Sequence, residues 1–373
     1  MQTENIALIE LGGSHDECLY SQVLFLKKNK CRVHILLFEE HLARIEAWPQ
    51  VDCWQTWPAP SGFTGEWKLV FRVLQYLRRN NIRQAVINTA EGNIIRKLSM
   101  AAGRKVEFVG LIHLARKLWT SRSQRIISRK IKKYLVLAEF IRENLEKADP
   151  SLALGHFYPV YFPETTEFKE AGKQDLREVN EAGVPELNGS DFLVCIPGAV
   201  DYSRRDYISL LDEMRSNKVP AGMRFILLGR TTGPDGKALL SRIGLEGFEK
   251  HFITFEGFLE HRLFYRYLSR SDLVLPLITP GSLDYDDYLK YKITGAYNLA
   301  WGFKIPMLLH SSFKDHSLFG ETSFFYRSGN MLRSLEALAG RKAELEKMRK
   351  NISGLEDFNF DIQAERYAGF LRR

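Results

Sequence analysis

The sequence lacks the features that mark several large classes of protein. It contains no apolar run near the roughly 18 residues that a membrane-spanning helix needs. Its first residues, MQTENIALIEL, have neither the basic stretch nor the small-residue cleavage site of a secretory signal peptide. With 45% hydrophobic and 26% charged residues, the composition is that of a folded globular chain. We therefore expect a cytoplasmic protein of about two domains, since the chain has 373 residues.

Cysteine is scarce, and its spacing argues against a zinc site or a disulfide framework. The chain has four cysteines, and no two of them form a C-x-x-C pair: Cys18, Cys31, Cys53 and Cys195. They stand mostly in or beside apolar segments. We expect buried free thiols and no metal ligands among them.

The G-x-G-x-x-G pattern of dinucleotide-binding domains is also absent, which disfavours a conventional NAD fold. Instead, the first predicted strand leads into Gly12, Gly13, Ser14 and His15, and then into a helix. Backbone N–H groups at the start of a helix can face an anion or a sugar, and glycine permits close approach. A tight turn with Ser14 as the helix N-cap explains the same residues equally well.

Strands and helices alternate along both halves of the chain. Helices separate the predicted strands, which lie at 6–11, 33–38, 85–88, 108–113 and 134–138 and start again at 192–196. This alternation predicts an α/β fold in which each half is a doubly wound, Rossmann-like domain with a parallel sheet. The expected division is an N-terminal domain at 1–154, a linker at 155–190, a C-terminal domain at 191–350 and a helix at 351–373 that packs back on the first domain.

Arginines follow the first two predicted strands of the second half. Gly198 comes directly after one strand, Arg204 and Arg205 stand where the next helix begins, and Arg230 follows the second strand. Because the carboxyl ends of parallel strands meet at one edge of a sheet, and guanidinium groups suit phosphates, the pattern predicts a diphosphate site. For each arginine alone, a surface ion pair is the alternative. The predicted site is completed near a later helix start by Lys292, Thr294 and Gly295.

Two histidines are candidates for acid/base chemistry or for contact with a sugar. His15 stands in the first loop and His113 at the end of a predicted strand. Histidine titrates near neutral pH, which suits both tasks. Glu17 is a carboxylate near the same predicted cleft, and a solvent-facing position explains it equally well. A hydrogen-bonded structural role is the alternative for at least one of the two histidines.

The net charge of +8 is unevenly distributed. Segment 116–133 contains eight basic residues and no acidic one: Arg116, Lys117, Arg122, Arg125, Arg129, Lys130, Lys132 and Lys133. One interpretation is an amphipathic helix whose apolar residues, Leu118, Ile126, Ile127 and Ile131, rest on the anionic inner face of the cell membrane. A solvated basic helix is the alternative. Nucleic acid is disfavoured because no aromatic residues alternate with the basic ones.

Several further segments are distinctive in their order and type. They are Gly12-Gly13 after the first strand, YLVLAEFIRENL at 134–145, the proline-bearing stretch at Tyr158-Pro159, FEGF at 255–258, SDLVLP at 271–276 and AWGFKIP at 300–306. In both respects they resemble the GT-B glycosyltransferases, in particular the bacterial nucleotide-sugar-dependent enzymes of the group 1, family 4 type that build surface polysaccharides. The resemblance covers nearly the whole chain. The commonest subgroup has paired glutamates around the helix at 294–301, where this chain has Tyr291, Lys292 and Tyr297.

This resemblance implies two Rossmann-like domains that face a central cleft. The second domain would hold a nucleotide-sugar donor through Gly198, Arg204, Arg205, Arg230, Lys292, Thr294 and Gly295. The first would bind a saccharide or lipid-linked acceptor near Gly12, Gly13 and Glu17, with His15 or His113 beside it. No cofactor or metal is implied, so Asp284 and Asp286 of a D-x-D sequence receive no ligand role. The alternatives are a GT-B-shaped sugar-nucleotide epimerase and a non-catalytic, membrane-peripheral assembly protein that keeps the fold.

Overall fold

The computed structural model describes residues 4–12, 15–45, 50–160, 190–255, 257, 259 and 261–373. Gly13 and Ser14 lie outside the described residues, as do 161–189 of the predicted linker and Glu256 and Phe258 of the FEGF segment. The chain packs as two compact units. The first consists of Met1–Val160, Lys290–Ile293 and Asn359–Arg373, and the second of Tyr161–Leu289 and Thr294–Phe358.

The first unit contains a 7-stranded parallel sheet with the strand order β3-β2-β1-β4-β5-β6-β7. Its strands are β1 (Asn5–Glu10), β2 (Arg32–Phe38), β3 (Cys53–Trp57), β4 (Gln84–Ile87), β5 (Glu107–Leu111), β6 (Lys133–Val136) and β7 (Ala153–His156). The inner strands are buried along most of their length, which explains their near-continuous apolar sequences.

Helices cover this sheet: α1 (Leu19–Lys28), α2 (Glu39–Ile45), α3 (Gly62–Arg79), α4 (Gly92–Ala101), α5 (Lys117–Thr120), α6 (Arg122–Lys130), α7 (Glu139–Ala148) and α16 (Phe360–Arg372). Helix α16 comes from the far end of the sequence and packs against α1, where the Tyr367 ring lies 5.6 Å from the Phe25 ring. The Asn359 side chain caps α16 by accepting hydrogen bonds from the N–H groups of Asp361 and Ile362.

The second unit contains a 6-stranded parallel sheet with the order β10-β9-β8-β11-β12-β13. Its strands are β8 (Phe192–Pro197), β9 (Met223–Leu228), β10 (Phe252–Ile253), β11 (Leu273–Val274), β12 (Met307–His310) and β13 (Ser323–Tyr326). Its helices are α8 (Tyr207–Ser216), α9 (Pro234–Leu245), α10 (His261–Ser269), α11 (Tyr285–Lys290), α12 (Gly295–Gly302), α13 (Ser317–Thr322), α14 (Met331–Ala339) and α15 (Lys342–Gly354). Short 3-10 turns lie at Asp16–Cys18, Glu249–His251, Ser311–Phe313 and Glu356–Phe358.

Each sheet has a point at which the strand order reverses, between β1 and β4 in the first and between β8 and β11 in the second. In open α/β sheets, ligands bind outside the carboxyl ends of the strands at such points. The loops that follow β1 and β4, and those that follow β8 and β11, are therefore where each unit is expected to carry a site.

The structure corrects the membrane interpretation of the apolar residues in 116–133. This segment forms two short helices, α5 and α6, in place of one amphipathic helix. Leu118, Ile127 and Ile131 are at most 8% exposed and belong to the core, because the inner side of the segment packs on the unit's interior. These side chains are not available to a membrane. In the described parts of the chain, no helix is long and apolar enough to cross a bilayer.

All four cysteines are free, and Cys18, Cys31 and Cys195 are buried as expected, whereas Cys53 is partly exposed. Burial raises the pKa of the Cys195 thiol to about 12, so it stays protonated at neutral pH.

Candidate functional site

The second unit has a cavity of about 600 Å³ at the carboxyl edge of its sheet. Its walls are the loops after β8 and β9 and the beginning of α12, and its volume is typical of small-molecule sites. It brings together six of the predicted donor-site residues: Gly198, Arg204, Arg205, Arg230, Thr294 and Gly295. Apolar and aromatic side chains, among them Leu259, Phe264, Tyr265 and Tyr288, line the rest.

Two glycines allow the loops after β8 and β9 to pack backbone against backbone. Gly198 has a φ of +100°, in the region that favours glycine, and a Cβ there would lie 2.5 Å from Nη2 of Arg205. A Cβ on Gly229 would lie 2.2 Å from both the carbonyl carbon and the oxygen of Gly198. The Gly198 N–H donates to Leu228 O at 2.9 Å. This part of the cavity wall is therefore bare backbone, open to close approach by a ligand.

Three arginines place positive charge around this wall. Arg205 lies beside Gly198, and its Nη1 donates to the carbonyl oxygen of Pro276 at 3.4 Å. Arg204 is 60% exposed and pairs with Asp201 at 3.3 Å, and Arg230 is exposed. An exposed ion pair contributes little energy, so Arg204 can exchange Asp201 for a stronger anion at small cost. Bidentate guanidinium groups in this arrangement suit a diphosphate.

The beginning of α12 adds a helix N-terminus to the same cavity. Thr294 has extended backbone (φ −103°, ψ 150°), and its Oγ1 accepts from the Ala296 N–H at 3.5 Å as the N-cap. Gly295 has open space where a Cβ would stand. The first N–H groups of a helix have no partner within the helix and carry a partial positive charge. Together with the arginines, they form a surface that favours negative charge.

Lys292 does not line the cavity, in contrast to the six other predicted donor-site residues. Helix α11 ends at Lys290, and α12 begins at Gly295. Lys290–Ile293 connects the two helices and packs with the first unit, where Tyr291 O accepts from the Ala115 N–H at 3.0 Å. The break at Thr294, which caps α12, separates Lys292 from the cavity lining.

The position of Tyr297 explains the absence of an acidic residue there. Tyr297 is fully buried, with its ring centre 5.0 Å from that of Phe319 and 5.8 Å from that of Trp301. Burial raises the pKa of its hydroxyl well above the ordinary value. A carboxylate in this aromatic cluster would be desolvated without compensation. Tyr297 is a core residue, and neither it nor Asp284 or Asp286 lines the cavity.

The first unit has a buried polar network at the carboxyl edge of its sheet. Glu10 is 0% exposed and its carboxylate accepts three hydrogen bonds: from the Gly12 N–H at 2.8 Å, from Asn88 Nδ2 at 2.5 Å and from Thr89 Oγ1 at 2.7 Å. Asn88 Oδ1 in turn accepts from Gln22 at 2.6 Å. Sequence reasoning missed this network. The available signals were a carboxylate at the end of an apolar strand and the Asn-Thr pair directly after β4.

The two predicted histidines meet beside this network. The rings of His15 and His113 are stacked, with centroids 3.6 Å apart and planes 10° apart. Nε2 of His113 lies 2.7 Å from Asn88 O, a carbonyl that only accepts, so Nε2 carries the hydrogen and Nδ1 is unprotonated in the neutral ring. Asn88 also donates to His15 O at 2.7 Å. Asn88 thereby positions both histidines.

Their surroundings drive the two pKa values in opposite directions. Burial lowers the pKa of His113 well below 6.5, and the nearby His15 lowers it further. Burial also acts to lower the pKa of His15, but the hydrogen bond and the charge of Glu17, 3.2 Å away, with the charges of Glu10 and Glu91, raise it above 6.5. Of the two rings, His15 is therefore the one that takes up an additional proton more readily.

We expect Glu17→Gln to lower the pKa of His15, because burial dominates once the carboxylate charge is gone. Histidine NMR titration measures this, with His251 of the second unit as the internal control. Since the folded-state pKa of His15 lies above 6.5, its ion pair contributes stability that is fully present below pH 6.5 and is lost as the pH rises through the raised pKa. An unchanged His15 titration would contradict the assignment.

No protein-family model matches the sequence, and none of the curated proteins matches it. Solved structures do match. HepE from Anabaena, in complex with UDP, has a TM-score of 0.70 and 14% identity over 99% of both chains. The lipopolysaccharide outer core galactosyltransferase WaaB has a TM-score of 0.60 and 12% identity over 99% of both chains. The UDP-GlcNAc 2-epimerase from Neisseria meningitidis, bound to UDP-GlcNAc, has a TM-score of 0.59 and 11% identity over 99% of both chains.

The chain has the GT-B fold. The predicted α/β class with two Rossmann-like domains is thereby confirmed. At identities of 11% to 14%, the likeness shows the fold alone. The chemistry of this GT-B chain must therefore be argued from its own residues.

Proposed function

We propose that the chain is a glycosyltransferase that moves a sugar from a nucleotide-sugar donor to a saccharide or lipid-linked acceptor in surface polysaccharide synthesis. The observation that carries the proposal is the cavity of the second unit, where Arg204, Arg205 and Arg230 surround two glycine loops and a helix N-terminus. HepE was solved with UDP and with UDP-glucose, which supports a uridine nucleotide as the first donor to test.

The donor site would act by neutralising the diphosphate as it leaves the sugar. Negative charge develops on the leaving group during transfer, and fixed positive groups aimed at it lower the barrier. The arginines and the N–H groups at the start of α12 are such groups. Among the described residues that line the cavity, Asp201 is the one carboxylate, so we propose that the cationic groups and not a carboxylate-bound metal carry this task.

The acceptor would lie at the carboxyl edge of the first sheet. There His113 offers an unprotonated Nδ1, and His15 has a raised pKa beside Glu17. A ring nitrogen that accepts a proton suits a sugar hydroxyl that must lose one. Gly12 lies against Thr89, where a Cβ would come within 2.7 Å, so this loop is also close-packed. Gly13 belongs to the same proposed site but lies outside the described residues.

A donor screen tests the function directly. The protein is incubated with UDP-, GDP-, CMP- and dTDP-linked sugars, and release of the nucleotide is measured with and without saccharide acceptors. We expect slow hydrolysis or transfer with one nucleotide class, and a thermal shift with the matching free nucleotide. Neither turnover nor a thermal shift with any donor would overturn the proposal, whereas tight nucleotide binding without turnover would favour the non-catalytic alternative.

We expect Arg230→Ala to weaken binding of the nucleoside diphosphate by about tenfold, the loss of one charge-assisted contact to phosphate. Isothermal titration with UDP measures it. Arg215→Ala is the matched control, because Arg215 is a 63% exposed arginine of the same unit that does not line the cavity and pairs with Asp212. Equal affinities for Arg230→Ala and the unmodified protein would remove Arg230 from the site.

A sugar-nucleotide epimerase is the second candidate. The structure of the UDP-GlcNAc 2-epimerase from Neisseria meningitidis matches this chain along its full length, which favours keeping this alternative. The two functions differ in their products. An epimerase converts the sugar of the donor without any acceptor and without net release of nucleotide, so NMR of UDP-GlcNAc incubated with the protein alone distinguishes them.

A further inference from the structure

One face of the first unit is basic and also exposes aromatic side chains. It is formed by α3, α4 and α6, and α4 packs against both of the other helices. We call it the α3–α6 face. It is distinct from the histidine pair, and neither the donor cavity nor the proposed sugar transfer uses it.

An aromatic row runs along α3 on this face. Phe63, Trp67 and Phe71 stand four residues apart, so they share one side of the helix. Phe63 is 70% exposed and Phe71 is 60% exposed, with Trp67 half-buried between them. The Trp67 and Phe71 rings stack with centroids 6.0 Å apart. Met100 on α4 adds a further apolar side chain that is 62% exposed. Exposed aromatic side chains grouped in this way mark an interaction surface.

The aromatic row lies on the side of α3 that meets α4. Nζ of Lys97, on α4, is 3.9 Å from the centre of the Phe63 ring and 2.6 Å from a carboxylate oxygen of Glu66. Glu66 is the one acidic residue in the sequences of α3, α4 and α6, all of which the structure describes, and this ion pair neutralises it.

Exposed basic residues flank the aromatic row. On α3 they are Lys68, Arg72, Arg78 and Arg79. On α6 they are Arg122, Arg125 and Arg129, which point outward because the apolar residues of that helix face the core. The α3–α6 face therefore combines a net positive charge with aromatic rings that are already exposed to solvent.

We propose that the α3–α6 face binds an anionic lipid bilayer, with Phe63, Trp67 and Phe71 entering the headgroup region and the basic side chains contacting acidic headgroups. Aromatic rings are favoured at the water–bilayer boundary, and basic residues near it are attracted to anionic lipids. A second copy of this chain is disfavoured as the partner, because its own α3–α6 face would bring the same positive charge against the first. The Trp67 and Phe71 rings stack on each other, which leaves less of their faces for successive bases and disfavours nucleic acid.

Vesicle sedimentation tests the proposal without donor or acceptor, so its outcome is independent of sugar transfer. The full chain is mixed with vesicles of phosphatidylcholine alone or with about one third phosphatidylglycerol, a fraction chosen to give an anionic surface. We expect binding to the anionic vesicles that weakens as salt is added, and little binding to the neutral ones. Phe63→Ser combined with Phe71→Ser should weaken partitioning by about tenfold or more.

Matched variants in the second unit show whether a loss of vesicle binding comes from the α3–α6 face or from a general change in hydrophobicity or charge. Leu245→Ser removes an 86% exposed apolar side chain from the second unit and should leave partitioning unchanged. Arg125→Glu combined with Arg129→Glu should weaken partitioning by about tenfold, whereas the same double charge reversal at Lys347 and Lys350 on α15 should have a small effect. Because all these side chains are exposed, the thermal denaturation midpoint should stay the same in each variant.

Three results would overturn the proposal. One is equal partitioning of the Phe63/Phe71 variant and the unmodified chain. Another is a dimer in sedimentation velocity that this variant converts to monomer, with no vesicle binding by the unmodified chain. The last is displacement from vesicles by a single-stranded RNA oligonucleotide whose own binding needs the same aromatic residues.

Discussion

Replacing Gly229 with alanine is expected to lower the free energy of unfolding of the second unit by about 3 kcal/mol and to remove nucleotide binding. The new Cβ would stand 2.2 Å from the Gly198 carbonyl, and backbone cannot rotate away as a flexible side chain can. The loops after β8 and β9 must therefore separate, which displaces Arg205 and Arg230 from the cavity. Hydrogen exchange of the β8 and β9 amides measures the stability, and titration with UDP measures the affinity.

Gly233→Ala is the control for this prediction. Gly233 stands in the same stretch, before α9, but no atom lies within 4 Å of the position of a Cβ and its φ of −71° is ordinary. Because Gly233 is an N-cap glycine, its replacement should lower the free energy of unfolding of the second unit by only about 0.5 kcal/mol. If the two alanine variants bind UDP equally well, the close packing of Gly198 and Gly229 does not shape the site.

Replacing Glu10 with alanine is expected to lower the free energy of unfolding of the first unit by about 3 kcal/mol, the usual size of the effect when a buried charged hydrogen-bond partner is removed. Three donors then lose their acceptor, namely the Gly12 N–H, Asn88 Nδ2 and Thr89 Oγ1, and the last two belong to buried residues. Urea denaturation, together with hydrogen exchange of the β1 and β4 amides, measures this loss in the free energy of unfolding. Glu17→Ala is the control. The Glu17 side chain is 38% exposed, so this variant should lower the free energy of unfolding by less than about 1 kcal/mol.

The Glu10 variant also reports on the histidine pair. The Asn88 carbonyl accepts from the His113 ring, and the Asn88 side chain, which Glu10 orients, donates to the backbone carbonyl of His15. We therefore expect the NMR signals of His15 and His113 to shift together in Glu10→Ala and to stay in place in Glu17→Ala, apart from the change in the His15 titration. Unchanged signals in the Glu10 variant would show that the pair is positioned by other contacts.

The alternation of apolar strands with helices made the fold predictable, because a strand buried on both faces needs a continuous apolar sequence. β3, β7 and β13 were missed because each has only four or five residues, too few for a clear apolar pattern. The donor cavity was partly predictable, since Gly198, the arginines and Thr294 all directly follow strands or precede a helix. Lys292 is not among the residues that line the cavity, because the chain between Lys290 and Thr294 is not helical and packs with the first unit.

The Glu10 network was beyond sequence reasoning for a different reason. Glu10 and Asn88 are 78 residues apart and become neighbours because β1 pairs with β4, a pairing that the hydrophobic pattern does not specify. The aromatic row of α3 was hidden as well. The residues of this row have the spacing of a core-facing set, yet Phe63 and Phe71 are exposed. The apolar residues of 116–133 have the periodicity of a membrane-facing helix, yet Leu118, Ile127 and Ile131 are buried. Only the burial of the side chains in the structure distinguishes the two cases.

Helix α16 has a consequence for the order in which the chain folds. It belongs to the first unit, where the Tyr367 hydroxyl donates to Gln22 of α1 at 2.8 Å and Gln363 accepts from the Tyr158 N–H at 3.1 Å. A ribosome synthesises α16 only after the whole second unit. The second unit is therefore fully synthesised while the first unit still lacks its last helix. During that interval the apolar side of α1 around Phe25 lacks the cover that α16 provides in the folded unit.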